Sequence, residues 1–113
     1  MRFRLKAARL FAGAAIAATA VAHGSVLADQ ANAQATLKAA SLAATCANCH
    51  GTNGNGVSGS AVSGLSNLSA EYIKTNMIWF KTGQRPATVM HQLAKGYTDE
   101  QIDIIANYLG KKD

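Results

Sequence analysis

The run Ala44-Thr45-Cys46-Ala47-Asn48-Cys49-His50-Gly51 constrains the chain more than any other stretch. It holds both cysteines of the 113 residues, three positions apart, with a histidine directly after the second. On a helical turn, side chains at i and i+3 lie on the same side, so both thiols face one object and the imidazole follows beside them. That object is a disulfide partner, a zinc ion, or a cofactor wide enough to be gripped at two points.

The first two choices fit the rest of the chain poorly. A thioredoxin-like C-x-x-C needs strands around it, and no run of alternating β-branched residues occurs. Zinc needs four ligands; beside Cys46, Cys49 and His50 only His91 is on hand in the chain that remains after export, and adjacent Cys49 and His50 would struggle to share one tetrahedral ion. C-x-x-C-H is the attachment signature of c-type haem, with two thiols adding to the vinyl groups and the histidine under the iron. The glycines that follow spell G-x-G-x-x-G at Gly54, Gly56 and Gly59. A dinucleotide site would need a strand before them and a βαβ unit around them, so "GTNGNGVSGS" reads as a loop leading away from the haem.

The N-terminus indicates where the chain works. Residues 1–9 carry four positive charges and no negative one, and "LFAGAAIAATAVA", residues 10–22, is apolar except for Thr19. Charged start, short apolar run and small residues beyond it have the form of a secretory signal peptide, covering residues 1–28 with cleavage after Ala28, or after Ala33. The apolar run falls short of the roughly 18 residues that would span a bilayer. Removing residues 1–28 leaves seven Lys and Arg against six Asp and Glu, so the +5 of the full chain shrinks to +1. No basic face remains for nucleic acid. A domain of about 85 residues has a thin core of its own, and a bound cofactor would help to hold it together.

Periodicity in residues 29–113 is helical, which gives an all-α fold. One helix is expected from about Thr36 to Ala47. A second starts after Ser69, with Ile73, Met77 and Phe80 as its apolar stripe and Gly83 as its stop. Pro86 forces a break, and "ATVMHQLAKG" reads as a loop passing into a helical turn. The last helix has a capping box in Thr98 and Gln101, acids Asp99 and Glu100 at its start, Lys111 and Lys112 at its end, and Ile102, Ile105, Ala106 and Leu109 along one face. A sixth iron ligand could come from Met77, Met90 or His91. Met90 is favoured, because Met77 lies on a core stripe while Met90 sits in the loop after Pro86.

In this order, C-x-x-C-H-G, glycine-rich loop, "FKTGQR" and "VMHQLAKGYTDEQIDIIANYL", the chain resembles the class I c-type cytochromes over nearly all of residues 29–113. Within that class it is most similar to the haem subunit of flavocytochrome c sulfide dehydrogenases, and next to the single-haem halves of di-haem cytochromes c. The resemblance implies a small fold of three to four helices wrapped around one covalent haem c. It implies Cys46 and Cys49 as thioether anchors, His50 as proximal ligand and Met90 as distal ligand, with first and last helices crossing near Tyr108. One feature departs from the pattern: the proline whose carbonyl usually accepts the histidine proton is missing from "SGSAVSGLSN", and a backbone carbonyl between Ser58 and Gly64 is expected instead.

With both axial positions filled the iron has no open site, so the expected role is electron transfer rather than catalysis. Tyr72, Trp79 and Tyr97 are candidate haem walls, and Arg85 a candidate propionate partner; core aromatics and a solvated arginine are the plain alternatives. The expected setting is the periplasm, with an FAD-bearing sulfide dehydrogenase chain as donor. The alternative is a free shuttle serving soluble redox partners or an oxidase or reaction centre, touching the membrane only through them.

Overall fold

The computed structural model describes the backbone of residues 14–111 and the burial of side chains from residue 26 to residue 111. The charged start of the expected signal peptide, its first apolar residues, and Lys112 lie outside the described residues. Five α-helices follow in order: α1 (Ala14–Ala43), α2 (Ala47–His50), α3 (Ala70–Thr82), α4 (Met90–Lys95) and α5 (Asp99–Leu109). Two 3₁₀ turns, Ala44–Cys46 and Thr52–Gly54, bracket α2. Among the described residues there is no strand, only an isolated parallel bridge between Ser69 and Lys111. Contacts divide the chain into two units, residues 1–35 and 36–113, and the cysteine–histidine motif lies in the second. No helix among the described residues is long and apolar enough to cross a membrane.

The haem-motif helix is not the single element expected over Thr36 to Ala47. The main chain keeps right-handed helical dihedrals through Ala43, Cys46 and Ala47, but α1 gives way to a 3₁₀ turn in which Ala47 N–H reaches Ala44 O. Tightening to i+3 bonding puts Cys46 at the end of that turn and Cys49 inside α2. Gly51 then ends α2 with φ 82°. A Cβ here would stand 1.8 Å from the Asn55 carbonyl oxygen, so only glycine allows the turn directly behind His50.

α3 and α5 form the frame. Ser69 caps α3, its hydroxyl accepting from Tyr72 N–H at 3.2 Å, and Gly83 closes the helix in the left-handed region at φ 80°. Thr98 and Gln101 form the reciprocal box at the start of α5, with bonds of 3.2 and 2.9 Å. The two helices pack through Ile73 and Met77 of α3 and Ile102, Ile105, Ala106 and Leu109 of α5, all buried, with Ala43 from the end of α1 and Ala94 of α4 completing the core. Lys74–Asp103 and Lys81–Asp99 ion pairs, each 2.7 Å, tie the outer edges. Past α5, Lys111 N–H donates to Leu68 O at 2.7 Å and fastens the chain end to the start of α3.

Tyr108 packs at the edge of the core. Its hydroxyl donates to Asn53 Oδ1 at 3.2 Å, linking α5 to the turn after His50. The segment "ATVMHQLAKG", expected to begin as a loop, is helical from Met90 onward and packs α4 against α3.

Candidate cofactor site

Two adjoining cavities of about 230 and 350 Å³ open beside the motif, and Cys46, His50, Met77, Phe80, Arg85 and Met90 line both. The first is backed by Leu65, Leu68, Ile73, Ile105 and Leu109, and the second by Val62, Pro86, Ala87, Val89, Leu93 and Tyr97. Cys49 borders the second. Residues from the helical turn of the motif, from the glycine-rich loop, from α3 and from the start of α4 thus converge on one apolar space.

His50 is held from behind. Its Nδ1 lies 2.7 Å from the carbonyl oxygen of Ser63. A carbonyl only accepts, so Nδ1 carries the proton and Nε2 keeps its lone pair for a metal. The loop brings that carbonyl round in two steps. Leu65 and Ser66 N–H both donate to Gly54 O, at 2.7 and 3.0 Å, and Gly64 passes so close to Gly56 that a Cβ on Gly64 would lie 2.6 Å from the Gly56 nitrogen. The missing proline is thus replaced by a main-chain acceptor inside the expected span.

The cysteines differ in their surroundings. Cys46 is partly buried and Cys49 exposed, and burial pushes the Cys46 thiol above its usual range. Of the three candidates for the sixth ligand, Met77 and Met90 line the space and His91 does not. His91 Nδ1 is buried without a hydrogen-bond partner among the described residues. Trp79 also fails to line either cavity and is 44% exposed, whereas Tyr72 borders the first and Tyr97 the second. On α3 the cavity lining is Tyr72, Ile73, Asn76, Met77 and Phe80; Trp79, two turns along from Tyr72 at the edge of that side, stays outside it.

These residues fit a haem. The walls are apolar, two thiols sit at the rim of one space, an imidazole is oriented with a free lone pair, two thioethers face in, and one arginine supplies a polar edge. Asn76 is a member that the sequence reading missed, although its place one residue from Met77 on the apolar stripe was a signal that could have exposed it; the Ser63 carbonyl falls inside the expected span 58–64, within which side-chain identity does not single it out.

Comparison with known proteins settles the family. Residues 28–109 match the family described as cytochrome C oxidase, cbb3-type, subunit III. The chain belongs to this cytochrome c family. It is therefore an electron-transfer protein with covalently bound haem c. A second likeness is shorter: 42 residues are 57% identical to a protein of Chlorobaculum tepidum named cytochrome subunit of sulfide dehydrogenase, covering 37% of this chain and 38% of that protein. This chain thus matches well under half the length of that relative.

Proposed function

We propose that this cytochrome is an exported monohaem electron carrier that receives electrons from an FAD-containing sulfide dehydrogenase partner. Convergence of Cys46, Cys49, His50 and Met90 on one apolar space carries the proposal. In it, Cys46 and Cys49 would hold the haem by thioether bonds, and His50 Nε2 and Met90 Sδ would ligate its iron. Bound there, the haem supplies a one-electron Fe(III)/Fe(II) couple. The Ser63 carbonyl keeps His50 in one tautomer and orientation through both oxidation states. Apolar residues of α3, α4 and α5 line the space, which would limit solvent rearrangement around a bound haem on electron transfer. Were His50 and Met90 both to ligate the iron, no position would be left for substrate, and sulfide chemistry would fall to the partner chain.

The partner is inferred from the short likeness to the sulfide dehydrogenase subunit together with the overall sequence resemblance. Export rests on the composition of residues 1–28, with cleavage after Ala28 or Ala33 and residues 29–113 working in the periplasm. Purification from the native cell tests the whole reading. The expected product begins at Asp29 or Gln34, stays red, comes with an FAD protein in fixed ratio, and is reduced when sulfide is added. A lone red protein that sulfide reduces only through unrelated chains would make it a free periplasmic shuttle.

A further inference from the structure

The end of α5 and the residues just past it grip the loop behind the motif at both of its ends. Tyr108 Oη donates to Asn53 Oδ1 at 3.2 Å, 55 residues back in the chain. Beside it Leu109 lies against Gly54: a Cβ on that glycine would stand 3.5 Å from Leu109 Cδ2 and 3.2 Å from Leu65 Cβ. Lys111 N–H takes the far end of the loop by donating to Leu68 O at 2.7 Å. Between these anchors the loop carries the Ser63 carbonyl that holds His50.

Asn53 is what the near anchor holds. Among the described residues it is the one residue other than glycine with positive φ, at φ 54° and ψ 28°, and Gly54 follows at φ 74°. Residues with a Cβ enter this left-handed region at a cost, and asparagine is among those that enter it most readily. Two such residues in succession turn the chain sharply behind His50. The carbonyl that follows them, Gly54 O, accepts from both Leu65 and Ser66 N–H, at 2.7 and 3.0 Å. A chain of contacts thus runs from Tyr108 to Asn53, through Gly54 to Leu65, and back along the main chain to the Ser63 carbonyl. In the middle of the loop the bonds are local, Ser60 N–H to Val57 O at 3.0 Å and Val62 N–H to Ser60 Oγ at 3.1 Å, so the loop takes its course from its ends.

We propose that Tyr108 and Asn53 are positioning residues for His50: their bond sets the course of the loop that keeps the Ser63 carbonyl on His50 Nδ1, and through it the donor strength of His50 Nε2. This rests on the reading of His50 as an iron ligand. An acceptor on Nδ1–H makes the opposite nitrogen more basic, which favours Fe(III). Loosening the loop weakens that bond and so favours Fe(II). A role in stability alone would let every protected proton exchange faster together, with His50 no different from the core.

The test is proton exchange followed by NMR on the ferrous haem protein, with potentiometry alongside, for Tyr108→Phe, Asn53→Gly, Asn53→Asp and the Tyr108→Phe/Asn53→Gly double variant. Tyr108→Phe removes only the hydroxyl. It should speed exchange of the His50 Nδ1 proton about tenfold, the worth of one hydrogen bond, while the N–H groups of Ile102 and Ile105 in α5 keep their rates. The ratio of reduced to oxidised haem at fixed ambient potential should shift about threefold toward reduced. Asn53→Gly keeps the left-handed turn and loses the acceptor, so it should act like Tyr108→Phe, and the double variant should add nothing to either. Asn53→Asp keeps acceptor and turn and should hold the exchange rate of wild type. A His50 exchange rate within about twofold of wild type in Tyr108→Phe overturns the proposal, as does equal acceleration at Ile102 and Ile105, an unchanged potential, full additivity in the double variant, or an Asn53→Asp rate equal to that of Asn53→Gly. Should Tyr108→Phe yield no holoprotein, a wild-type exchange rate in Asn53→Gly overturns it equally. His50 ring protons without the large upfield ring-current shift of an axial ligand would remove the reading of His50 and this inference together, whereas shifted ring protons with wild-type exchange in the variants remove this inference alone.

Discussion

His50 Nδ1 donates to the Ser63 carbonyl over 2.7 Å, and the two residues are 13 apart in the chain. The bond does for the imidazole what a carboxylate or carbonyl behind a ligating histidine does at other metal sites: it fixes the tautomer and aims the other nitrogen. Because the acceptor is main chain, the Ser63 side chain has no part in it. Its position depends on the loop course, which is set where Gly64 slides against Gly56.

Ser63→Ala should therefore leave the reduction potential and the ferric spectrum of the haem protein unchanged. Gly64→Ala should not. Its Cβ would collide with the Gly56 nitrogen at 2.6 Å, and the backbone shift that relieves the clash moves the carbonyl. The expected outcome is a loss of about 1–3 kcal/mol in stability, in the range of overpacked sites, with an altered potential. Chemical denaturation and potentiometry on the two variants check both halves. A Gly64→Ala protein with wild-type potential would show that the bond to Ser63 does not govern the iron.

Covalent attachment at Cys46 and Cys49 predicts a protein that keeps its colour on unfolding. Acid and organic solvent should leave haem on the wild-type chain, and mass spectrometry should find roughly one haem mass added. Cys46→Ala/Cys49→Ala should lose the haem entirely and with it most of the fold, since the apolar walls it would cover make up much of what this small domain buries. Complete extraction of haem from wild type, or a cooperative melt of the double variant near the holo temperature, would contradict this.

Much of this was legible because it is local. Ser69, Gly83, Thr98 and Gln101 act on backbone groups within a turn of themselves, so capping residues marked α3 and α5 correctly at both the N-termini and the left-handed stop. The start of α4 carried no such mark. Its N-cap position is Val89, with no side-chain bond, and the helical phase of Met90 and His91 could not be set from sequence. Neighbouring residues on a helix point about 100° apart, so once Met90 lines the cavity its neighbour does not. Trp79, offered as a wall with a plain alternative, stays outside the lining although it follows Tyr72 by two turns: α3 is apolar on more than one side, and hydrophobicity alone does not say where the lining ends. The Ser63 carbonyl and the Asn76–Arg85 contact depend on where a loop and a turn return, over 13 and 9 residues, which pattern in the sequence does not encode.

Electrostatics at the start of α5 gives a pH signature. Glu100 is held below the ordinary carboxylate range, first by its own backbone N–H and then by the Thr98 hydroxyl. A lowered value in the folded state means stability present above the unfolded value and lost as pH falls through the folded one. Glu100→Gln should thus be slightly less stable than wild type at neutral pH and match it in acid below that range. Lys74 runs the opposite way: hydrogen bonding and attraction to Asp103 raise it, so its contribution persists below the ordinary lysine value and fades as pH rises through the raised one. Both groups are exposed, so the effects are small and are best read as differences between variants in thermal melts across pH.

The two inward thioethers make the sharpest test of the site. Met77 is 6% exposed, packed with Ile73, Ile105 and Leu109 in the core, whereas Met90 is partly buried at the first position of α4, beside the cavity it lines. Met90→Ala should remove the weak far-red band that methionine gives to ferric haem, lower the potential and open the iron to cyanide or carbon monoxide, because a soft ligand favouring Fe(II) is gone and nothing fills its place. Met77→Ala should keep the band and potential and cost about 2–5 kcal/mol of stability, the range for truncating a buried methionine. His91→Ala should leave the band intact, since His91 lies outside the cavity lining. Spectra of the ferric variants, with denaturation curves alongside, separate the three. Loss of the band in Met77→Ala with its survival in Met90→Ala would move the sixth ligand onto α3 and leave α4 as a wall.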